Sequence, residues 1–303
     1  MKSKLFLCVS VIGGALFMFG DTQSVDAATI TKIEDSLNLI GKIYYQNELQ
    51  GSLKNGMYKL NKQPNSVSSS ATIYYSPDSS SFNLQKKSSD LIYIGDNEFN
   101  NTTDDEQKYV TTNFSKKVTN STSTSTTTGF SINGTGLEFK LPFFIDGNKI
   151  SATFNSSTTN TKNEADEETL TSGAQTVTVP AHKKYKVTIS LEQIKFEGTV
   201  KYKATGKDLQ NQINATGMWI DRTGNPYRKK FDLNYSIGQE WNSLNSTQKN
   251  SIKEITIDPS NNTMTVDGEA ILTGVTGTKM VVKTYDITNK QNSLVETSVV
   301  KQY

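Results

Sequence analysis

The stretch of sequence that decides the fold reads Leu137-Glu-Phe-Lys-Leu-Pro-Phe-Phe-Ile-Asp-Gly-Asn-Lys-Ile-Ser-Ala-Thr-Phe154. Its Asp146-Gly147 dipeptide favours a two-residue type I′ turn, in which both residues adopt positive φ. Such a turn fixes which residues of the two flanking strands face each other. Phe143 then lies opposite Ile150, and each further pair lies one residue farther from the turn on both strands. The stretch therefore predicts a β-hairpin with a defined register.

The apolar residues of both predicted strands fall on the same face of the hairpin. The register follows from the turn alone, so this agreement is independent of the strand residues. Leu141 pairs with Ala152 on this face, and Phe139 pairs with Phe154. Polar residues occupy the opposite face: Glu138, Lys140, Lys149 and Thr153. The tip, Leu141-Pro-Phe-Phe-Ile145, breaks the alternation and concentrates large apolar groups. We therefore expect an amphipathic hairpin with an apolar tip.

This hairpin has two interpretations. It is either an ordinary surface hairpin with one face on a core, as is common for antiparallel strands, or a hairpin that inserts into a membrane. A transmembrane strand needs about 9–11 residues that alternate between apolar and polar, and residues 137–145 have about that length. Large apolar groups at the turn favour insertion, because a loop that crosses a bilayer needs them. The pattern by itself leaves both interpretations open.

Hydroxyl-rich sequence flanks the hairpin. Residues 119–128 are almost entirely Ser and Thr. Hydroxyl side chains tolerate both a soluble sheet and a water-filled lumen, and the β-branched Thr favours extended backbone. Phe130 and Ile132 fall out of phase with Leu137 and Phe139, which predicts a β-bulge near residues 134–136.

The rest of the chain predicts a mainly β protein with a small helical start. Apolar residues at helical spacing predict one short amphipathic helix over residues 31–46. The Ser76-Pro-Asp-Ser-Ser80, Asp258-Pro-Ser-Asn-Asn262 and Asp267-Gly268 segments are predicted turns, and so is the acidic stretch Glu164-Ala-Asp-Glu-Glu168. Strands are predicted at residues 71–75, 91–94, 176–180, 184–189, 194–204, 252–257, 263–266 and 280–285.

The first 27 residues have the pattern of a secretory signal peptide. Lys2 and Lys4 form a positive start, an apolar run follows, and Val25-Asp-Ala27 provides small residues for cleavage after Ala27. The only cysteine, Cys8, lies in this segment, so the mature protein is expected to contain no disulfide. We therefore expect a secreted protein whose rearrangements are not restricted by crosslinks.

The composition excludes several classes of function. The chain has 303 residues with one Cys and one His, and its 32 basic and 30 acidic residues nearly balance. A Cys/His metal cluster and a redox pair need more such ligands, and the net charge of +2 provides no general field for nucleic acid. HExxH, GxSxG and P-loop motifs are missing from the sequence, although two carboxylates acting as a glycosidase pair stay open. We expect no catalytic residues, no cofactor and no metal site.

Several segments together resemble a known family. Asn101-Thr-Thr-Asp-Asp-Glu-Gln107, the Ser/Thr tract, the apolar-tipped hairpin and Val179-Pro-Ala181 occur in the order and spacing found in the epsilon-toxin and mosquitocidal-toxin family of aerolysin-like β-pore-forming toxins. The resemblance spans roughly residues 90–290 and is weakest over residues 28–90. It implies an elongated, mainly all-β fold with long antiparallel strands, a small N-terminal helical cap and a C-terminal β-sandwich.

The resemblance also implies a function. The protein would be a secreted protoxin that a protease trims, that binds a protein or glycan receptor on a cell surface, and that forms a ring-shaped homo-oligomer. Each subunit would then insert one hairpin into the target-cell bilayer to build a shared barrel. The rival from another class is a secreted adhesin or carbohydrate-binding β-protein that never leaves its soluble fold.

On the pore interpretation, individual residues receive roles. The expected lipid-facing residues are Leu137, Phe139, Leu141, Phe143, Phe144, Ile145, Ile150, Ala152 and Phe154. Glu138, Lys140, Lys149 and Thr153 would face the lumen. An N-terminal set of tyrosines would form a receptor-binding surface: Tyr44, Tyr45, Tyr58, Tyr74, Tyr75 and Tyr93. Lys290 would be an activating cleavage site that releases a tail over residues 291–303.

The expected organisation divides the chain into five parts. After the signal peptide come an N-terminal cap over residues 28–100 and a pore-forming region over residues 101–190, which contains the insertion hairpin at about 122–163. A β-sandwich region over residues 191–290 and the removable tail complete the chain. The structural domains are expected to be discontinuous in sequence.

Overall fold

One strand of 37 residues organises the protein. The structure, a computed structural model, describes residues 28–51, 58–76, 80–289 and 291–300. The predicted signal peptide with Ala27, part of the predicted turn at Ser76-Pro-Asp-Ser-Ser80, and Lys290 lie outside these residues.

The described strands are β1 Thr29–Lys32, β2 Tyr58–Leu60, β3 Ser66–Tyr75, β4 Ser81–Asn100, β5 Gln107–Val110, β6 Ser115–Ser131, β7 Glu138–Ile145, β8 Asn148–Asn155, β9 Lys162–Thr171, β10 Thr176–Val179, β11 Lys184–Ile220, β12 Pro226–Ser236, β13 Ile255–Asp258, β14 Thr263–Asp286 and β15 Ser293–Val300. The α-helices are α1 Ile33–Tyr44, α2 Ile237–Ser243 and α3 Ser246–Asn250. This architecture confirms the prediction of a mainly β fold with long antiparallel strands and a small N-terminal helical part.

Strand β11 is paired along both of its edges. On one side it pairs first with β14 and then with β12; on the other side it pairs with β4, β3 and β2 in turn. A regular strand of this length spans on the order of 100 Å. Because β11 crosses the expected boundary between residues 190 and 191 without a break, any domain division has to share this strand.

The helix predicted over residues 31–46 is confirmed. Helix α1 spans Ile33–Tyr44 and continues as a π-helical turn over Tyr45–Leu49. Its apolar face, which includes Leu37 and Ile40, is buried against the main sheet. Gly41 permits this approach, since a Cβ at this position would lie 2.6 Å from the amide nitrogen of Asn211.

Two predicted turns are wrong. Asp267-Gly268 lies inside β14, where Gly268 pairs with Tyr202 of β11. A Cβ on Gly268 would lie 2.2 Å from the Tyr202 ring, so this glycine makes room for an aromatic side chain rather than for a chain reversal. The acidic stretch over residues 164–168 belongs to β9, which pairs with β6.

The predicted β-bulge near residues 134–136 is also wrong, because the chain reverses there instead. Asn133 and Gly134 have φ values of 50° and 74°, and Ile132 and Thr135 exchange two backbone hydrogen bonds of 2.9 Å. An Asn-Gly dipeptide is a strong signal for such a two-residue turn. The reversal sends the chain from β6 back over the main sheet as the β7–β8 hairpin.

Candidate functional site

The candidate functional site is the hairpin of β7 and β8. Glu138 faces Asn155, Phe139 faces Phe154 and Phe143 faces Ile150, which confirms the predicted register. The turn is also confirmed, since Asp146 and Gly147 both have positive φ, at 48° and 87°. The two strands form a separate two-stranded sheet.

The apolar face of the hairpin is buried against the main sheet. Phe139 stacks on Tyr75 of β3, with ring centroids 4.2 Å apart, and meets Tyr202 of β11 edge-on at 4.9 Å. Phe143 packs on Phe82 of β4 at 5.5 Å. Leu141, Ala152 and Phe154 are buried in the same core, and Leu137 and Ile150 pack partly buried against it. The main sheet therefore covers the side chains that would otherwise expose an apolar stripe to water.

Phe144 does not share this face. It pairs with Lys149, and 70% of its side-chain surface is exposed, whereas Phe143 and Ile145 on either side are buried. Successive residues of a strand point to opposite faces, so these three neighbours cannot all lie on one face while β7 stays regular. In the docked hairpin Phe144 therefore faces solvent while Phe143 and Ile145 face the core. The expectation that all three contact lipid concerns the inserted state and stays a prediction.

Threonine hydroxyls hold one edge of the hairpin to β6. Thr124 Oγ1 donates to the carbonyl oxygen of Thr153 at 2.8 Å, and Thr126 Oγ1 donates to that of Asn155 at 2.7 Å. These side chains satisfy carbonyl groups at the β8 edge where no backbone ladder connects β8 to the main sheet. Two threonines of the hydroxyl tract therefore attach β8 to β6 through their side chains.

A charged cluster holds the tip of the hairpin. Asp146 Oδ2 lies 3.9 Å from Lys86 Nζ and 3.7 Å from Lys279 Nζ. Both lysines also contact Glu192, at 3.3 Å and 2.8 Å. Burial opposes ionisation of Glu192, but hydrogen bonds from Lys279 and Ser89 lower the pKa of its carboxyl group to about 2. We call Lys86, Asp146, Glu192 and Lys279 the tip cluster.

The tip cluster has no signal in the sequence, because its members lie on four different strands or turns. No short motif connects Lys86, Asp146, Glu192 and Lys279. Glu192 lies at an irregularity in the pairing of β11 with β14, which the alternation of residues along one strand does not reveal. The Asn133-Gly134 turn, in contrast, carried a local signal that was available in the sequence.

The other face of the hairpin is mostly in water. Glu138, Lys140 and Lys149 are exposed, and Glu138 pairs with Lys162 of β9 at 2.9 Å. Thr153 differs, since it is buried beneath β6. The docked hairpin is thus apolar towards the sheet and charged towards solvent.

Comparison with known proteins places this geometry in a family. The family model described as Clostridium epsilon toxin ETX/Bacillus mosquitocidal toxin MTX2 matches residues 58–297, which is most of the chain. The chain belongs to this toxin family. The resemblance stated from the sequence is confirmed. No curated protein sequence matches the chain.

Solved structures show the same fold at low sequence identity. The Mpp75Aa1.1 beta-pore-forming protein from Brevibacillus laterosporus is 18% identical with a TM-score of 0.59, over 90% of this chain and 96% of that one. A non-toxic crystal protein from Bacillus thuringiensis is 17% identical with a TM-score of 0.54, over 88% and 98%. The Cry23Aa1 and Cry37Aa1 binary protein complex is 16% identical with a TM-score of 0.52, over 90% of this chain and 96% of that one. The fold of this family member is therefore that of aerolysin-like β-pore-forming toxins.

The six tyrosines expected to bind a receptor do not form one surface in this toxin-family member. Tyr44 and Tyr45 are buried, because their rings fill the core between α1 and the main sheet. Tyr75 packs beneath the hairpin, and the side chain of Tyr58 lies outside the described part. Tyr74 and Tyr93 are exposed, but they pair with β11 at Thr205 and Ser190, far apart along that strand.

The C-terminal tail of this toxin-family member forms an edge strand. Strand β15 pairs antiparallel with β14, with Val300 opposite Met280 and Leu294 opposite Tyr285. Leu294, Val295 and Val299 remain largely exposed. The tail therefore covers backbone groups at the edge of β14 while it presents apolar side chains to solvent. No helix in the described ranges is long and apolar enough to cross a membrane.

Proposed function

We propose that this chain is a secreted protoxin that forms a transmembrane β-barrel pore. It binds a protein or glycan receptor on a target cell, assembles into a ring of identical subunits and inserts the segment at about 122–163 into the bilayer. The observation that carries this proposal is the β7–β8 hairpin: its apolar face is buried, yet its strands form a sheet separate from the main sheet. Strands β7 and β8 can therefore leave without breaking a backbone ladder to the main sheet.

The physical chemistry of the bilayer sets the order of events. A single hairpin in lipid leaves the backbone N–H and C=O groups of its outer edges without partners, at a cost of several kcal/mol each. Only a closed barrel removes those edges. Assembly of the subunits therefore precedes insertion, and the main sheet keeps the apolar face covered until then.

The contacts that hold the hairpin suit a reversible attachment. Side-chain hydroxyls hold its edge and partly exposed ion pairs hold its tip. In a water-filled barrel, the Ser and Thr side chains can exchange these partners for water. The apolar face exchanges the aromatic side chains of the sheet for lipid, so the transfer keeps apolar surface away from water at both ends of the reaction.

Some roles of the second hairpin strand follow directly. Ile150, Ala152 and Phe154 alternate with Lys149 and Thr153, so the first three face lipid and the last two face the lumen. Lys149 then contributes positive charge to the pore wall. The roles of Leu137, Phe139, Leu141, Phe143, Phe144 and Ile145, and of Glu138 and Lys140, depend on how the two strands pair after insertion.

Proteolytic trimming fits the position of the tail. Cleavage after Lys290 would free residues 291–303 and thereby expose the edge of β14 that β15 covers. A free sheet edge is a ready site for pairing with another strand. Removal of the tail would thus open an edge for contact between subunits.

The rival function, an adhesin or carbohydrate-binding protein, uses the same soluble fold. A protein with this fold is described as non-toxic, so the fold alone does not separate the two functions. The buried apolar hairpin with its hydroxyl-held edge favours the pore, because a protein that only binds has no use for a separable sheet of this kind.

Dye release from liposomes and from susceptible-cell membranes tests the proposal. The mature chain is compared before and after brief trypsin treatment. We expect release after trimming, together with an oligomer that resists SDS. Binding to cells or glycans without release from any membrane would contradict pore formation and support the adhesin.

A reversible tether tests the role of the hairpin. Asp146→Cys and Lys279→Cys, in a chain without Cys8, are joined by a bismaleimide with a reducible spacer. We expect the tethered protein to bind cells and release no dye, and reduction to restore release. Lys203→Cys with Asp267→Cys is a matched control, because this ion pair of 3.4 Å joins two strands of the main sheet. Full release from the tethered hairpin would contradict its insertion.

A further inference from the structure

Two ladders that meet at the hairpin have incompatible registers. In the β6–β9 ladder, Thr124 faces Lys162. In the β7–β8 ladder, Glu138 faces Asn155. Between these pairs the first strand has residues 125–137, which is thirteen, and the second has residues 156–161, which is six. The two ladders therefore cannot join into one regular hairpin, and a continuous transmembrane hairpin has to adopt one register or the other.

Extending the β7–β8 register outward gives a poor membrane hairpin. It would place Phe130 opposite Asn163 and Ile132 opposite Thr161. Both apolar residues would then share a face with Glu138, because all three have even positions on one strand. The extension would also break the β6–β9 ladder that already exists. This register therefore separates polar from apolar residues only over the short docked hairpin.

Extending the β6–β9 register inward separates the two kinds of residue over a longer stretch. On one face Ile132 comes opposite Phe154, Gly134 opposite Ala152, and Gly136 opposite Ile150. On the other face the pairs are Ser131 with Asn155, Asn133 with Thr153, Thr135 with Ser151, and Leu137 with Lys149. Apolar residues of the two strands again share one face and polar residues the other. This register is defined by other residues, the pairs of 115–124 with 162–171. Leu137 is the one large apolar side chain on the polar face, at the last pair before the loop.

We infer that the inserted hairpin adopts the β6–β9 register and that its lipid-contacting surface consists of Phe130, Ile132, Ile150, Ala152 and Phe154. The spanning strands are residues 128–137 and 149–158, ten on each side, which matches the 9–11 residues that a tilted membrane strand needs. The inference rests on the proposed function. It assigns the first strand differently from the docked hairpin, so that Phe130 and Ile132 replace Leu137, Phe139, Leu141 and Phe143 as lipid contacts in the spanning segment.

In this arrangement strand β7 becomes the tip. Residues 138–148 form a loop that carries Phe139, Leu141, Phe143, Phe144 and Ile145 across the bilayer ahead of the strands. Phe144, which is exposed in the docked hairpin, then belongs with its apolar neighbours again. A loop has no strict alternation, so the break in pattern at Leu141-Pro-Phe-Phe-Ile145 no longer conflicts with the pairing.

The rearrangement keeps the β6–β9 ladder and dismantles specific contacts. The β7–β8 pairing and the Asn133-Gly134 turn have to open. The end of β6 also has to leave β1, whose residues Thr29–Lys32 run parallel to Thr128, Gly129, Phe130 and Ser131. Thr128 also has to leave Glu269, the last pair of β6 with β14. Four of the ten residues of the first spanning strand, 128–131, therefore already belong to β6.

Two neighbouring positions separate the registers. Ile132→Cys and Asn133→Cys, each carrying an environment-sensitive dye in a chain without Cys8, are trimmed with trypsin and inserted into vesicles prepared from susceptible-cell membranes. We expect a lipid signal at residue 132 and a water signal at residue 133. The opposite pattern would show that the β7–β8 register persists in the membrane, and similar signals at both positions would also overturn the inference.

Residues 149 and 150 serve as the control, because both registers assign them the same roles. A dye at Ile150→Cys should report lipid and one at Lys149→Cys should report water. Lipid at residue 150 with water at residue 132 removes this inference and leaves the proposed function intact. A water signal at residue 150 would overturn both this inference and the proposed function.

A crosslink provides a second readout. Glu138→Cys and Asn155→Cys face each other only in the docked hairpin, so their disulfide should block dye release until it is reduced. Thr135→Cys and Ser151→Cys face each other only in the inferred hairpin and should crosslink only in assembled pores. Undiminished dye release from the oxidised Glu138→Cys/Asn155→Cys protein would overturn the inference.

Discussion

Glu240 lies on α2, and its carboxyl group is fully buried against the main sheet. Asn211 donates its amide to one oxygen of Glu240, while Glu240 Oε1 and Asn211 Oδ1 have no partner among the described residues. Burial raises the pKa of Glu240 to about 8, against the opposing effect of the Asn211 hydrogen bond. The neutral acid supplies a donor to a pair of groups that otherwise present two unsatisfied acceptors.

The pH dependence of this residue has a definite sign. The folded state binds the Glu240 proton more tightly than the unfolded state, whose pKa is near the ordinary value of 4.5. The free energy of unfolding therefore falls as pH rises from about 4.5 to about 8, by up to roughly 5 kcal/mol, and changes little beyond. Burial, followed by the charges of Tyr235, Glu48 and Glu240, raises the pKa of the nearby Tyr44 to about 12, so Tyr44 stays neutral over this range.

Glu240→Gln tests this sign. The amide of Gln offers Asn211 an acceptor and a donor without titrating, so we expect the variant to lose less stability than the wild type between pH 5 and pH 9. Denaturant unfolding at both pH values measures the difference. Parallel pH profiles for the two proteins would show that Glu240 is not the group that titrates.

Phe139 and Phe144 form a matched pair five residues apart on one strand. Phe139 is 8% exposed between Tyr75 and Tyr202, whereas Phe144 is 70% exposed. Phe139→Ala should weaken hairpin docking by about 3–5 kcal/mol, as for other large core deletions, and Phe144→Ala by less than about 0.5 kcal/mol. Limited proteolysis between residues 137 and 155 measures docking. Equal cleavage of both variants would contradict the packing.

At the scale of elements, the tip cluster attaches the β7–β8 hairpin to the main sheet. Three of its members, Lys86, Glu192 and Lys279, lie on strands of the main sheet, and Asp146 alone belongs to the hairpin. Buried Glu192 keeps both lysines in position, and the partly exposed Asp146 completes the cluster. Partly exposed ion pairs contribute about 1 kcal/mol or less each, so this attachment tunes release rather than preventing it.

Asp146→Asn should speed dye release severalfold at low salt and remove most of its salt dependence. Screening weakens the attraction of Asp146 to the lysines in the wild type, and the amide has no charge to screen. Glu138→Gln is the matched control, because its partner Lys162 lies within the same segment that moves. Rates of dye release at low and high salt check this prediction, and a salt response of Asp146→Asn equal to that of wild type would contradict it.

At the scale of the whole molecule, the tail covers an edge of the main sheet. Strand β15 covers β14 from Met280 to Asp286, on the side opposite β11. We expect a chain that ends at Lys290 to form SDS-resistant oligomers on membranes without trypsin, while the full chain requires trimming.

Lys290→Gln provides a control of unchanged length. This variant should bind cells as the wild type does and should oligomerise more slowly after trypsin treatment. Gel electrophoresis of membrane-bound protein measures both outcomes. Identical oligomerisation of the full and shortened chains would show that β15 is a permanent edge strand.

Several properties of this protein could be predicted from its sequence alone. The Asp146-Gly147 turn, the β7–β8 register, helix α1 and the mainly β fold follow from local patterns. Turn chemistry acts over two residues, and alternation in strands and helices acts over a few, so neighbours in sequence are sufficient to specify them. The order of the segments was likewise enough to indicate the toxin family, which the family match confirms.

Tertiary structure decided the rest. Burial of Tyr44 and Tyr45, the place of Gly268 against Tyr202 and the assembly of the tip cluster all depend on residues brought together by the long strands. The conflict between the two registers also appears only when β9 is seen beside β6. These contacts join residues that are often a hundred positions apart, and a local pattern carries no information about which distant strand will lie opposite.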